Sequence, residues 1–158
     1  MAGSARTRVP KLRCLITVLR PGPSDGDFWA WFGGWVGYEN SIVSQSITIP
    51  VSATTLNFDL EIPVCDSPDD YLNVRIDGNS EIVFDGEDAA CAVVGYAVKS
   101  LDVSAYADGA AHLLEFYSEV FGNNGVGSNF FVDNIVFAGS ASVCTNDGSS
   151  IFADGFEE

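Results

Sequence analysis

Residues 54–62, TTLNFDLEI, set Leu56, Phe58, Leu60 and Ile62 on one side of an extended chain and Asn57, Asp59 and Glu61 on the other. Successive strand side chains point to opposite faces, so this alternation describes a strand with one greasy and one wet face. The pattern recurs. Residues 71–77, YLNVRID, bury Leu72, Val74 and Ile76 and expose Tyr71, Asn73, Arg75 and Asp77. Residues 41–49, SIVSQSITI, alternate less perfectly, and the tetrad DGNS at 77–80 signals a tight hairpin into EIVFD. Further runs lie at 93–103, 112–121 and 130–137, giving seven or eight strands and no convincing helix. A chain of this kind buries its apolar faces by stacking two sheets, so the expected class is all-β, an antiparallel two-sheet sandwich.

The length of 158 residues and a hydrophobic share of 47% suffice for one domain with a real core. Net charge is −15, unevenly spread. Arg6, Arg8, Lys11, Arg13 and Arg20 crowd the start, which leaves Arg75 and Lys99 to face all 22 acids. That surface repels phosphate backbones and anionic headgroups, which excludes nucleic acid as a main partner. The six apolar or near-apolar residues CLITVL, 14–19, are too few for a signal-peptide core or a membrane span, so no membrane insertion is expected. The expected layout is a flexible leader over 1–25, a sandwich over 26–138, and a linker with a short tail over 139–158. A degenerate export signal is the alternative for the leader.

Four cysteines and one histidine make a structural zinc site a poor fit. Few lysines, many small polar residues and turn-borne cysteines suit an oxidising, extracytoplasmic setting. Cys65 and Cys91 both end strand-like runs at loop edges and are the expected disulfide; Cys14 and Cys144 fall outside the periodic core. That bridge would draw together CDSPDD and DGEDAAC, crowding Asp66, Asp69, Asp70, Asp85, Glu87 and Asp88 at one pole. Crowded carboxylates repel one another unless a cation intervenes, and calcium takes 6–8 oxygen ligands. The alternative is a set of solvated acids pointing apart.

Three outward-facing sets could form one ligand band if their strands are neighbours: Asp59 with Glu61, Asn73 with Arg75, and Glu115, Tyr117 and Glu119. Rings against sugar C–H groups, with planar polar groups for hydroxyls, are the chemistry of a glycan site. Glu61, Glu115 and Glu119 also admit a small glycoside hydrolase, if two of them lie at the spacing that mechanism needs. Trp29, Trp31 and Trp35 within FWAWFGGW read as a plug closing one edge of the sandwich, or as a sugar-stacking platform. No Gly-x-Ser-x-Gly accompanies His112, which reads as a satisfied strand-edge residue.

Several segments resemble bacterial secreted jelly-roll modules of the galactose-binding-like, carbohydrate-binding and MAM-like kinds. They are WAWFGG (29–34), SQSITIP (44–50), TLNFDLEI, DYLNVRIDG, LDVSAYADG with its following H-x-L-x-F, and NFFVDNI (129–135). The ending IFADGFE is similar to short tails of exported gammaproteobacterial proteins. The resemblance spans about residues 28–138. It implies a non-catalytic extracellular or cell-surface module, with the periplasm as alternative, acting as a monomer or as part of a larger multidomain protein. Its partner would be a glycan or cell-surface polymer; the competing implication is a structural or adhesive domain that binds protein. It further implies a structural calcium held by Asp133 at the last strand, with Asp25 and Asp27 as candidate partners.

Overall fold

The structure is a computed structural model describing residues 22–123 and 125–139. Eight strands follow in chain order: β1 (Ala30–Gly33), β2 (Glu39–Thr48), β3 (Ala53–Val64), β4 (Tyr71–Ile76), β5 (Asn79–Asp85), β6 (Ala97–Asp102), β7 (Ala111–Val120) and β8 (Asn129–Gly139). The only helical element among the described residues is a 3-10 turn at Ser104–Tyr106. One sheet has the order β1-β8-β3-β6 and the other β2-β7-β4-β5, all paired antiparallel. The expected all-β antiparallel sandwich is the observed one. Cys14, Cys144, most of the leader and nearly all of the tail lie outside the described residues.

The alternation places the core as expected. Leu56, Phe58, Leu60 and Ile62 of β3 are fully buried against Leu72, Val74 and Ile76 of β4 and Leu114 and Phe116 of β7. The hairpin between β4 and β5 turns on Asp77 and Gly78, with φ of 52° and 79°. Positive φ at both central residues is what a two-residue turn needs to follow the strand twist, and the Asp-Gly pair supplies it. WAWFGG forms an edge strand as well as a plug: Phe32 enters the core at 1% exposure while Trp31 faces outward. Gly33, with φ +79°, ends β1 where a Cβ would lie 1.9 Å from the Ser128 carbonyl oxygen.

Cys65 and Cys91 form the expected disulfide, with Cα atoms 5.9 Å apart. The acids brought to that pole do not gather. Asp70 is fully buried and turns inward, its carboxylate accepting the backbone N–H of Phe121 at 2.7 Å and of Ser128 at 3.1 Å. Asp85 accepts from Glu87 N and Asp88 from Ala90 N, each closing its own turn. Lys99 Nζ stands 3.7 Å from Asp88, so this pole has a cation of its own. Asp69 is exposed and anchors through its own backbone N–H to Ser67 Oγ, and Glu87 is exposed. Among the described residues no three His, Cys, Asp or Glu side chains converge on one point, Asp66 included. Asp85 and Asp88 are thus engaged by their own turns and Asp70 by the β7–β8 loop.

His112 starts β7 and joins two turns. Its Nδ1 lies 2.7 Å from Asp77 of the β4–β5 turn and its Nε2 3.0 Å from Asp108 of the turn before β7. The Tyr106 ring packs edge-on at 5.6 Å, with its hydroxyl on Glu81. Both ring nitrogens can donate only in the imidazolium. The Asp77 and Asp108 hydrogen bonds accordingly raise the imidazole's pKa, while the same contacts lower those of both carboxylates. His112 is the satisfied edge residue expected.

Two tests follow from these contacts. Asp70→Ala leaves two inward amides without an acceptor, so chemical denaturation is expected to show a loss of about 2–4 kcal/mol; a loss below about 1 kcal/mol would mean that Asp70 does not pin the β7–β8 loop. The His112 clamp is complete below the unfolded imidazole's pKa, fades as pH rises through the raised folded value, and is lost again as pH falls through the depressed carboxylate values. His112→Gln should therefore lower the melting temperature more at pH 5.5 than at pH 9. Equal losses at the two pH values would contradict the clamp.

Candidate functional site

Hydrogen-bonded register assembles the outer face of the second sheet from cross-strand rows. Asn40 of β2, Glu119 of β7 and Tyr71 of β4 form one row. Ile42, Tyr117 and Asn73 form the next, and Ser44, Glu115 and Arg75 the third. Residues directly opposite each other in such rows are in contact range. Tyr38, just before β2, leans over the first row.

Glu119 is the hub. Its carboxylate accepts the Tyr38 hydroxyl at 2.6 Å and the Tyr71 hydroxyl at 2.5 Å. Those two donors, with a smaller contribution from Arg75, hold the Glu119 carboxyl below its usual range. Burial and then Glu119 raise the Tyr71 pKa, and the Glu119 hydrogen bond raises that of Tyr38. Across neutral pH the group is one carboxylate with two neutral phenols fixed in place. Rings continue on either side: Tyr38 tilts against Phe121 at 5.5 Å, and Tyr71 against Tyr117 at 6.0 Å. The Tyr117 hydroxyl accepts from Asn40 Nδ2 at 2.6 Å, and the Arg75 guanidinium lies over the Tyr117 ring at 3.8 Å. Tyr38 remains 60% exposed, so its ring is offered to solvent. The result is a strip of four mutually tilted rings, with an arginine over one of them and carboxylates and an amide among them.

Five of the expected band residues meet here: Asn73, Arg75, Glu115, Tyr117 and Glu119. Asn73 sits on this face but is buried at 8% exposure, under its neighbours and a hydrogen bond from Ser80. Asp59 and Glu61 do not join them, because β3 lies in the other sheet. There Asp59 accepts from Ser24 Oγ at 2.7 Å and Glu61 from Gly95 N at 2.9 Å, both fastening loops. Tyr38, Asn40, Tyr71 and Phe121 were not in the expected set. The outward parity of Tyr71 was legible; the approach of Tyr38 depends on how the β1–β2 loop returns.

The carboxylate pair required for glycoside hydrolysis is not formed by Glu61, Glu115 and Glu119. Glu61 is on the opposite sheet, and the Cα atoms of Glu115 and Glu119 are about 13 Å apart along one strand at the usual rise, with the Glu119 carboxylate held to Tyr38 and Tyr71. A hydrolase pair stands at roughly 5–9.5 Å.

The tryptophans serve different places. Trp31 donates from Nε1 to Asn129 at 2.8 Å and packs edge-on against Phe131 at 5.4 Å, on the outer face of the first sheet. Trp35 is 65% exposed in the β1–β2 loop, and Trp29 is half-buried beside Phe131. They do not form one platform.

The Asp133 carboxylate, which meets the start of the chain's described residues, is surrounded by donors. Asp133 Oδ2 accepts from the Ser24 backbone N–H at 2.6 Å and the Asp25 N–H at 3.0 Å, and Oδ1 from the Asn134 N–H at 2.7 Å. Among the described residues no three carboxylates converge here, and the corner pins the incoming chain to β8.

No family model matches the chain, and no curated protein matches it. Among solved structures, the chain is similar to the structure of TmCBM61 in complex with beta-1,4-galactotriose. That likeness has a TM-score of 0.52 at 10% identity over 74% of each chain. At that identity it shows a shared fold, the two-sheet β-sandwich.

Proposed function

We propose that the protein is a non-catalytic, extracellular carbohydrate-binding module whose ligand lies along the tyrosine strip of the second sheet. The observation that carries this reading is the hub at Glu119, which locks Tyr38 and Tyr71 beside Tyr117 before any ligand arrives. Locked rings give up little side-chain freedom on binding, so their contact area counts toward affinity. The exposed face of Tyr38 suits the C–H surface of a sugar, and Glu115, Glu119 and the fork of Arg75, which lies over Tyr117, suit its hydroxyls. The shared fold with a glycan-bound module supports the reading. The disulfide supports placement in an oxidising compartment. Among the described residues no helix is long and apolar enough to cross a membrane.

Charge narrows the ligand. Arg75 is surrounded by Glu115 and Glu119 on a chain of net charge −15, so an acidic glycan meets repulsion. In affinity electrophoresis at low salt, a neutral β-1,4-galactan should retard the protein and polygalacturonate should not. Tyr38→Ala should weaken binding of the retarding glycan about tenfold, or ~1.4 kcal/mol. Unaltered binding by both Tyr38→Ala and Tyr117→Ala would remove the strip as the site.

A further inference from the structure

A cavity of about 560 Å³ opens between the two sheets, under residues 25–31 where the chain enters β1. That volume falls within the roughly 300–1,000 Å³ of small-molecule sites. It lies along the edge between β1 and β2, away from the tyrosine strip. Its floor reaches the core at Val43 of β2 and Phe116 of β7. Aromatic lining comes from Phe28, which is 66% exposed, and from Trp29. The mouth carries Asp25 and Asp27, and among the described residues no Lys, Arg or His lines any part of it.

We propose that this cavity is a second binding site, for a small organic cation with an apolar body, such as an aryl-alkyl ammonium. Three features select that chemistry. The apolar floor and walls offer too few polar partners for a bare sugar and favour a body that sheds water. Indole and phenyl faces attract an ammonium through their ring quadrupoles. The carboxylates at the mouth attract the same charge and repel an anionic amphiphile such as a fatty acid. Trp29 also buries its Nε1 without an acceptor among the described residues, so the cation that this site takes carries an oxygen acceptor as well, and 2-phenylethylammonium probes its charge and apolar body alone. Asp133, also at the cavity, is already held by the Ser24 and Asp25 amides, so Asp25 and Asp27 are the carboxylates facing the ligand's charge. The site stands independently of the glycan reading.

The test uses three ligands with one body: 2-phenylethylammonium, 2-phenylethanol and phenylacetate, titrated into the full chain and followed by tryptophan fluorescence and calorimetry. The ammonium should saturate in the millimolar range or below and bind at least about tenfold more tightly than the alcohol, with phenylacetate weakest and the preference shrinking as salt is raised. The exposed double change Asp25→Asn, Asp27→Asn should bring the ammonium down toward the alcohol and leave the alcohol unchanged. Tyr38→Ala should leave the ammonium's affinity unchanged. Equal binding of ammonium and alcohol, no saturable binding of the ammonium, or an ammonium affinity indifferent to the double change would each overturn the assignment.

Discussion

Phe58 leaves β3 of one sheet and inserts between Phe84 and Phe116 of the other, edge-on to both rings at 5.9 and 5.4 Å. It is fully buried, and the two sheets are keyed to each other at this ring. Once Phe58 faces in, parity along β3 fixes every neighbour: Leu56, Leu60 and Ile62 follow it, and Asp59 and Glu61 must face water. The same logic, carried through Phe116, turns Glu115, Tyr117 and Glu119 outward on β7. The outer faces are thus by-products of a core that admits one register.

A rigid sandwich gives those faces their use. Tyr38, Tyr71 and Tyr117 are held by hydrogen bonds to groups on neighbouring strands. Glu119 is kept ionised by the phenols it accepts from, and those phenols are kept neutral by it. The rings are held in place by hydrogen bonds within the sheet itself. The loops at the disulfide pole serve a different end. Asp70 stitches the β7–β8 loop down from inside, which positions Phe121 at the end of the ring strip.

Much of this was legible before any coordinates. Period-2 alternation located β3, β4 and β7 and the sides that they bury, and Asp77-Gly78 announced its turn. Pairing of Cys65 with Cys91 could be read from their positions at strand ends. Neighbourhood could not. Whether β3 lies beside β4 depends on a crossover between sheets, and alternation carries no record of it, so the sequence alone could not separate Asp59 and Glu61 from residues on the far side of the molecule. Carboxylates misled for a related reason. Asp69 and Asp70 are adjacent and chemically alike, yet one is exposed and the other fully buried, because inward amides from Phe121 and Ser128 are available to only one of them. Lys99 lies eleven positions after Asp88 in the sequence and 3.7 Å from it in space.

The account stands or falls on where a glycan touches the molecule. The most direct measurement is NMR chemical-shift mapping on the full chain with the tightest oligosaccharide from the neutral galactan series. Shifts are predicted to concentrate at Asn40, Tyr71, Arg75, Tyr117 and Glu119 on the outer face of β2, β7 and β4. Shifts confined to the β1-β8-β3-β6 face, or to the cavity beneath residues 25–31, would contradict it.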